Sequence, residues 1–197
     1  MEMLNKTKII QELSVRRISL LTAFDFKKLF KIENDNTAYK SIARLAKAGV
    51  LKRLTSKKYL FTLNPADDFT IANFLYPPSY VSLESALSFY GIIDQFPYQI
   101  ASVTPRKTKT IHALGKVFAY THLRPKFFWG YEKKEAFMLA LAEKALLDYL
   151  YLCTKGLRNF YKDEYNLNAI NTQKLILFAD KTGHKQLQMY IKKNNLC

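Results

Sequence analysis

Residues 34–63 constrain the fold of this chain more than any other stretch. They run Asn34-Asp35-Asn36-Thr37-Ala38-Tyr39-Lys40-Ser41-Ile42-Ala43-Arg44-Leu45-Ala46-Lys47-Ala48-Gly49, then Val50-Leu51-Lys52-Arg53-Leu54-Thr55-Ser56-Lys57-Lys58-Tyr59-Leu60-Phe61-Thr62-Leu63. Ala38, Ile42, Leu45 and Ala46 recur at i, i+4, i+7 and i+8, the spacing of one helical stripe facing a core. The spacing predicts a helix over 37–48, with Asn36 or Thr37 as its cap and backbone N–H groups left open to a phosphate. Gly49 stands where a left-handed residue stops a helix. The other face carries Thr37, Tyr39, Lys40, Ser41, Arg44 and Lys47, side chains suited to base edges and flanking phosphates.

The following residues predict a β-hairpin. Lys52–Leu54 forms one strand and Tyr59–Leu63 the return strand, with Tyr59, Phe61 and Leu63 alternating onto a buried face. Thr55, Ser56, Lys57 and Lys58 form its tip. Upstream, helices are expected over Lys6–Arg17, with Ile9, Ile10 and Leu13 inward, and over Phe24–Phe30, with Phe26, Leu29 and Phe30 apolar. Three helices and a basic hairpin in about 63 residues suit a winged helix-turn-helix that binds DNA. Its expected contacts are Thr37, Tyr39, Lys40, Ser41, Arg44 and Lys47 on the helix, with Lys52, Arg53, Lys57 and Lys58 on the hairpin. Winged helices also mediate protein contacts, so the competing reading is a small α+β domain with a solvated basic face.

Charge bears on this choice. The 197 residues carry a net charge of +15, which favours a polyanionic partner. Lys and Arg outnumber Asp and Glu by nine over residues 1–63 and by six over residues 64–197, so the basic excess per residue is about three times higher in the first part. No stretch approaches the roughly 20 apolar residues of a membrane span. Residues 1–6 do not open a secretory signal, and two cysteines, Cys153 and Cys197, do not make a disulfide framework. A cytoplasmic protein with no membrane partner is expected.

Asn64-Pro65-Ala66-Asp67-Asp68 is turn-rich and marks a boundary, giving expected domains 1–64 and 65–197. Ile71–Leu75 is a helical turn before Pro77-Pro78. The remainder predicts a mixed α/β domain, so the whole chain is expected to be α+β. Ser82–Tyr90 is helical, with Ser82 as N-cap, Glu84 in the first turn and Gly91 as stop. Gln99–Thr104 and Lys116–His122 are strands, and Arg106-Lys107-Thr108-Lys109 is a basic loop between them. Glu135–Leu152 is a long buried helix, carrying Phe137, Leu139, Leu141, Leu146, Leu147 and Leu150. Residues 172–193 are amphipathic and helical, with a break at Gly183.

Four strings in this second part resemble a known family. They are Tyr80-Val81-Ser82-Leu83-Glu84-Ser85-Ala86-Leu87-Ser88-Phe89-Tyr90-Gly91-Ile92-Ile93, Ala101-Ser102-Val103-Thr104-Pro105-Arg106, Phe118-Ala119-Tyr120-Thr121-His122-Leu123 and Ala142-Glu143-Lys144-Ala145-Leu146-Leu147-Asp148-Tyr149-Leu150. In this order, behind the N-terminal pattern, they resemble the AbiEi family of antitoxins, transcriptional regulators of viral defence systems. The resemblance implies an N-terminal winged helix that binds repeats in its own promoter and represses the operon. It also implies a C-terminal domain that opposes a nucleotidyltransferase-type toxin without forming a stable complex, as a type IV antitoxin. One departure is Lys57-Lys58 before Tyr59, where many relatives carry a glycine.

Little else suggests chemistry, and neither catalytic residues, a metal nor a cofactor is expected. Glu143 and Asp148 lie five apart, a poor spacing for one helical face. Glu84 suits a helix start. His112, His122 and His184 have no short-spaced ligand partners, and no glycine loop cradles a phosphate. Cys153 in an apolar helix is a core residue. Arg106, Lys107 and Lys109 make a second basic cluster, either a further nucleic-acid contact or a solvated loop. Phe127, Phe128, Trp129 and Tyr131 are expected to pack in a core rather than to form an exposed interaction surface. Two rivals stand beside the antitoxin: a winged-helix regulator whose C-terminal domain senses a ligand or oligomerises, and an enzyme acting on nucleic acid or nucleotides, which lacks an acid, metal or nucleophile constellation.

Overall fold

The computed structural model describes residues 5–95 and 97–196; Cys197 lies outside the described residues. The chain is mixed α+β and divides into two compact units, one running to Leu75 and one beginning at Tyr76.

The first unit consists of α1 (Lys6–Val15), β1 (Leu20–Thr22), α2 (Ala23–Leu29), α3 (Asp35–Lys47), β2 (Leu51–Thr55), β3 (Lys58–Phe61) and α4 (Asp68–Leu75). Asn5 caps α1, accepting from Thr7 N at 3.1 Å. The helix stops short of the expected Arg17, which adopts a left-handed φ of 51°. A capping box opens α2: Asp25 N donates to Thr22 Oγ1 at 3.0 Å and Thr22 N to Asp25 Oδ2 at 2.8 Å. β1, too short to stand out in the sequence, pairs antiparallel with β3 and sets Leu21 opposite Tyr59. The sheet order is therefore β1-β3-β2, with β3 central.

That position alters the expected strand pattern. Tyr59 and Phe61 enter a core with Ile9, Leu13, Phe26, Ala38, Ile42, Leu45 and Leu51. The strand ends at Phe61, and Leu63 is 64% exposed rather than buried. Leu60 is buried on the opposite face. On that same face Lys58 donates to the carbonyls of Phe74 and Leu75, tying down the end of α4. α4 is longer than the expected turn because Asp67 caps it, its Oδ1 accepting from Phe69 N and Thr70 N at 2.9 Å each. The chain thus divides after Leu75, not after residue 64.

The second unit holds β4 (Tyr80–Val81), α5 (Leu83–Phe89), β5 (Gln99–Thr104), β6 (Lys109–Ala113), β7 (Lys116–His122), β8 (Tyr131–Lys134), β9 (Phe137–Ala140), α6 (Ala142–Cys153), α7 (Thr172–Thr182) and α8 (Lys185–Lys193). Its six strands order as β6-β7-β5-β4-β9-β8. β5 with β7 and β4 with β9 are parallel; the remaining pairs are antiparallel.

The expected helix Glu135–Leu152 is two elements. Residues 131–140 form a hairpin whose turn places Glu135 at φ 42°, and the helix begins only at Ala142. A short apolar run such as Phe137–Ala140 satisfies either period, and pairing of Leu139 with Val81 decides for strand. From Glu143 to Cys153 every residue of α6 is buried, including three charged ones. Lys109, assigned to a loop, begins β6, where Ile111 and Ala113 face inward and Thr110 and His112 outward. Gly183, at φ 61°, ends α7 and separates it from α8 as expected. Ser82 precedes α5 without capping it through its side chain; its hydroxyl turns to Asp148 instead.

Candidate nucleic-acid interface

α3 is capped by Asn34, two residues before Asn36 and three before Thr37, the expected caps. Asn34 Oδ1 accepts from Asn36 N at 2.8 Å and Thr37 N at 3.3 Å, so those two first-turn donors are already engaged. Asp35 sits in the first turn, where the helix dipole favours a carboxylate, and pairs with Lys27 of α2. Ala38, Ser41, Ile42 and Leu45 are buried at i, i+3, i+4 and i+7. Ser41 was expected on the outer face; it is only 7% exposed and is removed from the candidate contacts. Thr37 and Ala46 flank the buried stripe and are half-buried.

The exposed stripe is continuous: Asn36, Tyr39, Lys40, Ala43, Arg44 and Lys47, at successive i, i+3, i+4 spacings. Asn36, expected as a helix cap, and Ala43 also stand on this face, where their spacing from Lys40 and Lys47 places them. From Asn36 to Lys47 the stripe runs roughly 16 Å along the axis, at ~1.5 Å per residue. Three cations, an amide and a tyrosine on one helical face suit a groove about 12 Å wide.

The hairpin has a two-residue turn, Ser56 and Lys57. Arg53 lies opposite Tyr59 but Thr55 lies opposite Lys58, so Leu54 is an extra residue and the strand bulges. Glycine is not needed for this turn: neither Ser56 nor Lys57 has a positive φ. The bulge also separates the two lysines. Lys57 is exposed at the tip, and its carbonyl accepts from Ala23 N at 2.9 Å. Lys58, expected to reach DNA, instead points to the end of α4, with Nζ 3.0 Å from Leu75 O and 5.0 Å from the centre of the Phe74 ring. Lys52 and Arg53 are exposed on β2, an edge strand, and Arg53 Nε donates to Thr55 O at 3.1 Å.

In the second unit, Arg106, Lys107 and Lys109 are exposed, but two of them frame one ring. Arg106 Cζ lies 4.6 Å and Lys109 Nζ 5.1 Å from the Tyr76 centroid. Arg106 also donates to Pro77 O at 3.0 Å, and the Tyr76 hydroxyl donates to Lys107 O at 3.2 Å. These contacts order the loop, and leave Lys107 as the side chain least committed to it.

The carboxylates considered for chemistry are paired with cations. Glu84 meets Arg158 at 2.6 Å and Glu143 meets Lys174 at 2.8 Å. Burial pushes Glu143 up, but Lys174 and the Asn171 amide outweigh it and hold the carboxyl below its usual range. Asp148 pairs with Lys144, and both are buried. The other oxygen of Asp148 accepts from the Tyr80 and Ser82 hydroxyls at 2.9 Å each, and Lys144 Nζ donates to Tyr80 Oη at 2.9 Å. Burial lowers the Lys144 ammonium and raises the Asp148 carboxyl, each opposed by the other's charge. The i,i+4 spacing of Lys144 and Asp148 could have revealed this pair. Phe127 is buried as expected, while Phe128, Trp129 and Tyr131 are half-buried against Tyr80 and Phe178. Burial pushes the Cys153 thiol up to about 11, away from the thiolate that nucleophilic chemistry needs. Among the described residues no three His, Cys, Asp or Glu side chains gather to hold a metal ion, and no helix is long and apolar enough to cross a membrane.

A scan against protein-family models finds no match. A search of curated proteins returns no significant match either.

Proposed function

We propose that this protein is a DNA-binding regulator whose first unit is a winged helix-turn-helix, with α3 in the major groove and the β2–β3 hairpin as wing. The exposed stripe of Asn36, Tyr39, Lys40, Ala43, Arg44 and Lys47 carries the reading, because it leaves a helical face without apolar cover and rich in groups that pair with bases and phosphates. The element order helix, strand, helix, helix, hairpin supports it, as does the local excess of positive charge. Lys40, Arg44, Lys47, Lys52, Arg53 and Lys57 are the proposed contacts; Thr37 lies at their margin, and Lys58 holds the frame.

The fuller proposal is a cytoplasmic autorepressor of its own promoter repeats that also opposes a nucleotidyltransferase-type toxin as a type IV antitoxin. It rests on the resemblance of the four strings to AbiEi antitoxins. Those strings fall on β4 with α5, on β5, on β7 and on α6, all within the second unit.

The test is binding of the purified protein to its own upstream DNA and to a scrambled duplex across a salt series. A preference for the upstream DNA that survives added salt is expected. In Lys40→Ala with Arg44→Ala that preference should disappear while rescue from a co-expressed toxin persists. Equal, salt-erased binding to both duplexes would reduce the first unit to a generic basic domain. Loss of rescue in a folded double variant would refute the separation of roles.

A further inference from the structure

The first unit leaves one edge of its sheet open at β1. In the order β1-β3-β2, β1 has a neighbour on one side only. Phe61 N donates to Ser19 O at 2.8 Å and Ala23 N to Lys57 O at 2.9 Å, and Leu20 lies opposite Leu60 between them. Residues of an antiparallel strand turn their main-chain groups alternately toward and away from the partner. Ser19, Leu21 and Ala23 therefore serve β3, while Leu20 and Thr22 face outward. Thr22 is already committed: its N–H donates to Asp25 Oδ2 at 2.8 Å, and its carbonyl opens α2 as the N-cap. Leu20 directs an N–H and a C=O at the open edge, and among the described residues neither finds a hydrogen-bond partner. The opposite edge, β2, carries Lys52 and Arg53, charges that discourage strand addition; β1 reads Leu20-Leu21-Thr22 and has none.

A groove of about 520 Å³ opens beside β1, where the end of α1 and α2 approach it. Leu20 and Leu21 both line it. Their side chains lie on opposite faces of the sheet, so the opening between them is the strand edge itself. Ile18, Leu20 and Leu29 are its half-buried apolar walls, and Arg16 and Lys28 its exposed cations. Asp25, the one carboxylate in the lining, is turned to the Thr22 N–H and hydroxyl. Glu12 engages one of the three Arg16 nitrogens, Nε, at 2.5 Å, and Lys28 has no carboxylate partner among the described residues.

We propose that this edge is a docking site for an extended segment of a partner protein, apolar with carboxylates between, which adds a fourth strand beside β1. Main-chain bonds to Leu20 would hold the segment, and its side chains would be chosen by the apolar walls and the two cations. The walls offer nothing to a phosphate, which separates the groove from a DNA contact. A second copy pairing through β1 would bring Arg16 and Lys28 of both chains to one seam, so charge favours an acidic partner over self-association. The site does not rest on the DNA-binding reading: if the chain binds no DNA, the comparison below still stands.

The test uses the full chain and a blocked synthetic peptide, Thr-Val-Asp-Val-Asp-Val-Thr, followed by NMR and amide hydrogen exchange. At about 90% saturation the Leu20 amide should exchange roughly tenfold more slowly, since only the free chains remain open there. Replacing both Asp of the peptide by Asn should weaken binding about fivefold, the worth of two exposed ion pairs, and Arg16→Gln with Lys28→Gln should do the same. Leu20→Pro removes the outward N–H, which serves no bond within the sheet, and should weaken binding about tenfold while the chain stays folded. Should that variant unfold, the exposed Arg16 and Lys28 variant decides. No protection of Leu20 at millimolar peptide, or equal binding of the Asp and Asn peptides, would overturn the proposal. Concentration-dependent protection of Leu20 without peptide would overturn it by assigning the edge to a second copy. Protection of Leu20 by the upstream duplex, in place of the peptide, would overturn it by assigning the groove to DNA.

Discussion

Lys144→Met should destabilise the second unit severely. The ammonium is fully buried, pairs with Asp148, donates to Tyr80 Oη, and lies 5.4 Å and 5.2 Å from the Tyr80 and Trp129 ring centres. Methionine replaces most of the volume but leaves the buried Asp148 carboxylate with only two neutral hydroxyl donors. Removing one partner of such a pair costs about 3–5 kcal/mol. Lys144→Met with Asp148→Asn should be milder, at about 1–3 kcal/mol, because the asparagine carbonyl still accepts from Tyr80 and Ser82 and only its amide loses a partner. Urea unfolding read by fluorescence suits this test, since Trp129 is the single tryptophan and neighbours the pair. A loss below about 1 kcal/mol in the single variant, or a double variant no better than the single, would refute this account, because either outcome means that Asp148 bears no uncompensated charge.

Three further outcomes are expected. Gly130→Ala should cost more than the ~1–2 kcal/mol of a left-handed residue, because its φ is 73° and a Cβ would lie 2.9 Å from Cγ of the immobilised Lys144; the same urea titration measures it. Lys58→Ala should lose about 1–2 kcal/mol of stability through the freed carbonyls of α4, whereas Lys57→Ala should leave stability within about 0.5 kcal/mol and lower the salt slope of DNA binding by about 1; equal melting losses would contradict the division between them. His184 should titrate below its ordinary value, driven by burial and then by Lys155, Lys126 and Arg124. A depressed folded value means that its contribution to stability is present above the unfolded pKa and is lost as pH falls through the folded one. An NMR titration checks the midpoint, and His184→Asn, which keeps a capping oxygen, should remove that part of the acid loss.

The sequence was legible where one period was unambiguous. Ala38, Ile42 and Leu45 announce α3, and Gly183 announces the break between the last two helices. Ser41 was misplaced because a small polar residue at i+3 from Ala38 occupies the buried stripe without advertising it. The roles of Lys57 and Lys58 depend on a bulge, which shifts register by one residue and sends adjacent side chains to different surroundings. Phe137–Ala140 could belong to either period until a strand 58 residues upstream, at Val81, supplied its partner. The buried pair on α6 was open to inspection at i,i+4, yet the comparison made from sequence paired Asp148 with Glu143, which points elsewhere. Such outcomes depend on partners distant in the chain, which local periodicity does not encode.

The brevity of β4 governs the order in which the chain can assemble as it is made. Its two residues join the β6-β7-β5 and β9-β8 portions of the six-stranded sheet, pairing with Ser102 and Val103 on one side and Leu139 on the other. That sheet cannot close until residues near 140 have left the ribosome. The first unit closes its own sheet once Phe61 has emerged and needs no strand beyond it. Synthesis therefore passes through a stage in which a finished basic module is followed by an open sheet with unpaired edges. Over that interval the module proposed to bind DNA is already closed while the second half of the chain is still exposed to proteolysis and misassociation.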